Sequence, residues 1–161
     1  MKKFAILTAF LAVLISCGDK EKKDQDSNQD EIVVPAGEQT AGSAADYDPN
    51  RGEGKYDKVD LSPNLDKALA SKGEEVSNVK CLSCHKITDE RLVGPGWAGL
   101  TERRTPQWIM NFITNPDPMI DKDPELQAQL EICLVRMPNQ GLSDDEARGI
   151  LEYMRKIDGV Q

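Results

Sequence analysis

Hydrophobic and polar positions divide this chain into three stretches. Phe4 to Ile15 is a continuous apolar run, bounded by Lys2-Lys3 on one side and Cys17 on the other. From Gly18 to about Asn64 the chain is Asp, Glu, Lys, Asn, Gln, Gly, Ser and Ala with scattered prolines, and Ile32-Val33-Val34 is its one compact apolar cluster. Such a segment buries too little apolar area to offset its conformational entropy, so a disordered linker is expected there. Beyond it a helical period sets in. A first helix is expected from about Leu65, or from Ser71, to the cysteines near position 81. Thr105 is a good N-cap with Pro106 at the first helical position. Trp108, Ile109, Phe112 and Ile113 then form one face, ended by Asn115-Pro116. Asp123-Pro124 repeats that opening, with Leu126, Leu130 and Leu134 at four-residue spacing. Ser143-Asp144-Asp145-Glu146 is a capping box, and Ala147, Ile150, Leu151, Met154 and Ile157 form the stripe behind it. No stretch reads as a strand. The expected fold is all-α, a small helical domain over residues 65–161.

The basic start and short apolar core of residues 1–16 are the ingredients of an export signal, and the run is too short to span a bilayer. Leu14-Ile15-Ser16-Cys17-Gly18 resembles the lipobox of bacterial lipoproteins. That resemblance implies cleavage before Cys17 and acylation of its thiol, with residues 17–64 serving as a lipidated, acidic tether. Two or more acyl chains hold a protein on a membrane stably. Residues 18–64 carry twelve acidic and six basic side chains. As a coil they would set the folded part roughly 35–40 Å from the lipid. The expected location is the periplasmic side of a membrane or the cell surface.

Charge narrows the partners. The chain has 28 acidic and 20 basic residues, a net charge of −8. An acidic surface repels nucleic-acid phosphates, so no nucleic-acid partner is expected, and it suits a protein with a basic docking face.

Chemistry concentrates at Cys81-Leu82-Ser83-Cys84-His85, which contains the only histidine in the chain. Two thiols three residues apart followed at once by His read as a c-type haem attachment site. At helical spacing both sulfurs lie on one face and can reach the two vinyl groups of one porphyrin. His85 follows directly and can offer a ring nitrogen to the iron. A thiol–disulfide pair would call for a βαβ context, which is missing. A zinc module would have to enlist distant Cys133 and place adjacent Cys84 and His85 on one tetrahedron. Cys133 itself reads as a small buried hydrophobe. A haem would also supply apolar volume that about 97 residues can hardly provide alone.

The order of helix, C-x-x-C-H, Gly-Pro loop, middle helices, Met-Pro loop and closing helix resembles a class I-like monohaem cytochrome c domain. The resemblance implies one covalent haem c. It gives Pro95, in Leu92-Val93-Gly94-Pro95-Gly96-Trp97, the role of accepting a hydrogen bond from His85 through its carbonyl. It pairs a glycine of the first helix, Gly73, with an aromatic of the last, Tyr153. With no second histidine, a thioether is the natural sixth ligand. Met137 stands at the family's axial Met-Pro position, and Met119, in a loop beside Pro118, is its competitor. Met110 and Met154 fall within helices and are expected in the core. Trp97 and Trp108 are read as haem-facing or core aromatics, and Arg103 and Arg104 as surface charges or propionate partners.

These readings describe a membrane-tethered one-electron carrier, not an enzyme. Its donor would be a quinol-oxidising complex and its acceptor a terminal oxidase or reductase. The segment Arg103–Met110 with the Met-Pro loop resembles small cytochromes associated with nitrous oxide reduction, which adds nitrous oxide reductase as an acceptor. The alternatives are a haem sensor or catalytic domain with a labile distal ligand, and a zinc-binding module.

Overall fold

The computed structural model describes residues 47–161. The apolar run, Cys17 and linker residues 18–46 lie outside the described residues. Six helices follow: α1 Lys67–Lys80, α2 Leu100–Arg103, α3 Pro106–Thr114, α4 Pro116–Lys122, α5 Pro124–Cys133 and α6 Asp144–Ile157. No strand occurs among the described residues. The four expected helices are therefore present, and two short ones join them.

Local chemistry explains where the helices start. The Asp66 carboxylate accepts from the N–H groups of Ala68 and Leu69 at the head of α1. Thr105 caps α3 through Trp108 N–H, and Asp123 caps α5 through Glu125 and Leu126 N–H. Ser143 and Glu146 exchange both bonds of the capping box. Each of these caps satisfies N–H groups that the first turn leaves without helical partners.

Helices α1 and α6 form the principal contact of the fold. They run in opposite directions. Leu65 N–H donates to the carbonyl of Gln161 at one end, and Lys80 pairs with Glu146 at 2.9 Å at the other. Between these ends the two backbones nearly touch: a Cβ on Gly73 would lie 1.9 Å from the carbonyl oxygen of Gly149. The glycine of the first helix therefore meets backbone at Gly149. Tyr153, the expected partner one turn later, packs edge-on against Trp97 with ring centroids 6.4 Å apart. Ile150, Leu151 and Met154 of α6 join Trp108, Ile109, Met110 and Ile113 of α3 in one core.

Residues 47–64 are a correction. They were expected in the disordered linker, yet they lie across the domain as an ordered strap. Asn111, fully buried on α3, accepts from Tyr56 N–H and donates to the carbonyls of Arg51 and Tyr56. The Tyr47 hydroxyl donates to Asp123 at 2.6 Å, and the Trp108 indole N–H donates to the same carboxylate oxygen at 3.2 Å. Burial, then the bond to Asp123 and its charge, push the Tyr47 phenol above its usual range. At Gly52, with φ of +74°, a Cβ would lie 2.3 Å from the methyl carbon of Met119. Further along, Arg155 reaches the Ser62 carbonyl at 2.6 Å, while its other nitrogen pairs with Glu152, which is 0% exposed. Polar composition is a sound sign of disorder only where polar groups lack specific partners, and here helices α3, α5 and α6 supply them.

Two further expectations change. Met119 is not in a loop. It belongs to α4, whose Pro116 and Pro118 stand in the first turn, where a missing N–H costs nothing. Leu134 does not extend the stripe of Leu126 and Leu130. It takes a left-handed φ of 57° as the C-cap of α5 and is 84% exposed.

Gly73→Ala tests the crossing. Its methyl group cannot fit against Gly149, so chemical denaturation of the holoprotein should show a loss of about 1–3 kcal/mol; an unchanged midpoint would place the helix contact elsewhere.

Candidate haem site

Helix α1 delivers the cysteine motif. Cys81 is its C-cap, with its N–H bonded to the Ser77 carbonyl at 2.9 Å. The N–H groups of Cys84 and His85 both return to the Cys81 carbonyl at 3.0 Å. Cys81, Cys84 and His85 thus occupy one tight turn at the end of a helix whose axis α6 sets. Neither cysteine is tied up in a disulfide. Burial pushes the Cys81 thiol upward, opposed by the Ser77 hydroxyl and the Lys80 charge.

The following loop folds back onto this turn. Val93 and Gly94 N–H both donate to the Cys84 carbonyl, at 3.1 and 2.8 Å, and Trp97 N–H donates to Lys86 at 2.9 Å. The consequence is a clasp around the imidazole. His85 Nδ1 lies 2.8 Å from the Pro95 carbonyl, so Nδ1 carries the proton and Nε2 keeps its lone pair. Burial holds the His85 pKa below its usual value, against the raising effect of Pro95, and the ring stays neutral. Gly94 presses on one side: a Cβ there would come within 2.4 Å of His85 Cε1 and 2.9 Å of Nε2. The Trp97 ring, 5% exposed, is centred 5.8 Å from the imidazole.

A neutral imidazole with an oriented, unprotonated Nε2, beside two free thiols on the same turn, is a donor set that fits a covalently attached haem. The Ser77 side chain is fully buried one turn before Cys81, close enough to its thiol to act on it. The donors do not fit zinc. Among the described residues no three His, Cys, Asp or Glu side chains converge as a metal site. Cys133 lies half-buried at the end of α5 against Arg91.

The methionines separate cleanly. Met110 and Met154 are buried on α3 and α6 as expected. Met119 is 0% exposed beneath the strap, between Gly52 and Trp108. Met137 sits in the irregular segment between α5 and α6, half-buried against the core. Trp108 spends its N–H on Asp123, leaving none for a propionate. Arg104 stacks on the Trp108 ring at 4.3 Å and pairs with Glu125, and Arg103 donates to the Ala98 carbonyl. Both arginines therefore have partners within the protein. Ser77 and the strap are the parts of this neighbourhood that the sequence reading missed. The only sequence signal for the strap was its spacing of Tyr47, Gly52, Gly54 and Tyr56.

Comparison with known proteins agrees with this geometry. A family model described as cytochrome c matches residues 70–158, more than half of the chain. The solved cytochrome c from Rhodothermus marinus is 38% identical, with a TM-score of 0.63 over 65% of this chain and 90% of that one. An engineered form of that cytochrome is 37% identical with a TM-score of 0.62 over the same shares. Another, bound to a carbene intermediate, is 37% identical with a TM-score of 0.59. Among curated proteins none matches.

Replacing Gly94 by Ala should drive the imidazole off the Pro95 carbonyl. We expect a shifted Soret absorption and a lower yield of covalently loaded protein than for Lys58→Ala, which removes only an exposed side chain paired with Asp60. Equal yield and spectrum for the two variants would show that Gly94 does not set the ring position.

Proposed function

Because the chain belongs to the cytochrome c family, carries one covalent c-type haem and works by haem-based electron transfer, we propose that it is a membrane-tethered single-electron carrier with a six-coordinate iron. The observation that carries this reading is the hydrogen bond from His85 Nδ1 to the Pro95 carbonyl, which leaves the Nε2 lone pair free next to the turn that bears Cys81 and Cys84. The haem, when bound, supplies a one-electron iron couple. The protein's own part is to hold, orient and exclude. Cys81 and Cys84 attach, His85 ligates through Nε2, Pro95 and Gly94 hold the ring, and Trp97 shields it. Met137 would supply the remaining ligand. Met119 is unsuited to that role, since leaving its place would open a cavity beneath the strap. A thioether opposite histidine favours a raised potential and leaves no open position for substrate.

Cytochrome c domains are typically extracytoplasmic, and among the described residues no helix is long and apolar enough to cross a membrane. Anchoring would fall to an acylated Cys17, which the lipobox-like Leu14–Gly18 supports. A net charge of −8 suits basic redox partners. Donor and acceptor would be a quinol-oxidising complex and a terminal oxidase or reductase. Nitrous oxide reductase remains the acceptor that the resemblance of Arg103–Met110 suggests, although Arg104 has a structural reason to be there.

Two variants test the ligand assignment. Met137→Ala should abolish the weak thioether–iron absorption at the red edge of the visible spectrum and let the reduced protein bind CO. Met119→Ala should keep that absorption and lose about 2–5 kcal/mol of stability. The reverse pattern would assign the iron to Met119.

A further inference from the structure

The segment that carries Met137 has little backbone support. Among the described residues, no N–H or carbonyl from Val135 to Leu142 takes part in a backbone–backbone hydrogen bond. A loop of this kind stays in place only through its side chains. Two side chains do the work, one on each side of Met137-Pro138.

Arg136 is the stronger anchor. Its Nε donates to Asp117 Oδ1 at 2.6 Å, and its Nη2 donates to Asp121 Oδ1 at 2.7 Å and to the Asp117 carbonyl at 3.0 Å. All three acceptors belong to α4. That helix is itself fixed, since Pro116, Met119 and Ile120 are buried. The guanidinium thus binds a rigid surface through three bonds in a planar arrangement, which a lysine could not reproduce. The left-handed turn at Leu134 sends the chain back toward α4 so that Arg136 can make them. On the other side, Asn139 Nδ2 donates to the Thr114 carbonyl at the end of α3, and its Oδ1 accepts from Gly141 N–H.

We propose that Arg136 is a positioning residue for the sixth ligand: its grip on Asp117 and Asp121 holds the Met137 loop closed and so sets how readily an outside ligand can displace the thioether. The inference rests on Met137 being that ligand. Exchange needs no redox step. Imidazole would take the place of the Met137 thioether as one lone-pair donor for another, which would release the loop. Opening the loop requires breaking the Arg136 bonds, so weakening them lowers the cost of exchange directly.

Imidazole is the probe, titrated into the full-length ferric holoprotein and followed by absorption. Arg136→Ala should raise imidazole affinity about 1.5- to fivefold at low salt, the range for partly exposed ion pairs. Asp117→Ala with Asp121→Ala should give a similar rise, and adding Arg136→Ala to that pair should give little more. High salt should raise the affinity of the unaltered protein toward that of the variants. Lys58→Ala, which breaks an exposed pair with Asp60 on the strap, should change nothing. If Arg136→Ala fails to load haem, the aspartate variants and the salt titration carry the test. Unchanged affinity in the Arg136 or aspartate variants, beside a large rise in Met137→Ala, would overturn the clamp and leave the ligand assignment intact. A Met137→Ala protein with unaltered affinity and red-edge absorption would instead remove the assignment on which the clamp rests.

Discussion

The near-contact of Gly73 with the backbone of Gly149 sets the geometry of everything else. With a side chain at Gly73, α1 could not lie this close to α6, and the end of α1 is where Cys81 begins the haem-bearing turn. Charge supports the crossing beside the motif, where Lys80 meets Glu146, and next to Gly73, where Lys156 meets Glu74. A third tie is deeper. Glu152, 0% exposed, receives Arg155 and also the Asp66 N–H at the head of α1. A buried carboxylate is tolerable only when its oxygens are occupied in this way.

From that frame the site is built by two loops of different character. The loop from Leu92 to Trp97 is tied by backbone bonds to Cys84 and Lys86, and it grips His85 with a carbonyl on one nitrogen and a glycine against the ring. The loop around Met137 hangs on side chains alone. Under the proposed ligation the histidine side of the site is therefore rigid and the methionine side adjustable, a division that suits a carrier whose histidine ligand must never leave. The strap of residues 47–64 stiffens the adjustable side at a distance. It buries Met119 against Trp108, Met119 anchors α4, and α4 presents the two aspartates that hold Arg136.

Much of this was legible from residue order because its causes are local. The N-caps at Thr105, Asp123 and Ser143, the prolines after the first two, and the C-x-x-C-H spacing each act within a few residues, and each appears where the pattern put it. What escaped has causes distant in sequence. Residues 47–64 look like linker by composition, and it is Asn111 and Arg155, distant in sequence, that give their backbone a place. α2 is four residues long and owes its start to Asp158, whose carboxylate accepts from Gly99 and Thr101 N–H. Tyr153 seemed a suitable partner for Gly73 by position, but the helices cross one turn earlier, at Gly149. Arg136 carried no local signal at all, because its meaning lies on α4.

The central claim is that one porphyrin is bonded to this chain through Cys81 and Cys84 beside a His85 held ready by Pro95. Intact-protein mass spectrometry with peptide mapping, on material exported alongside a haem-attachment apparatus, tests it most directly. The account predicts the added mass of a single haem, located on the peptide that contains both cysteines. A mature chain with no such addition, or with the addition elsewhere, would contradict it.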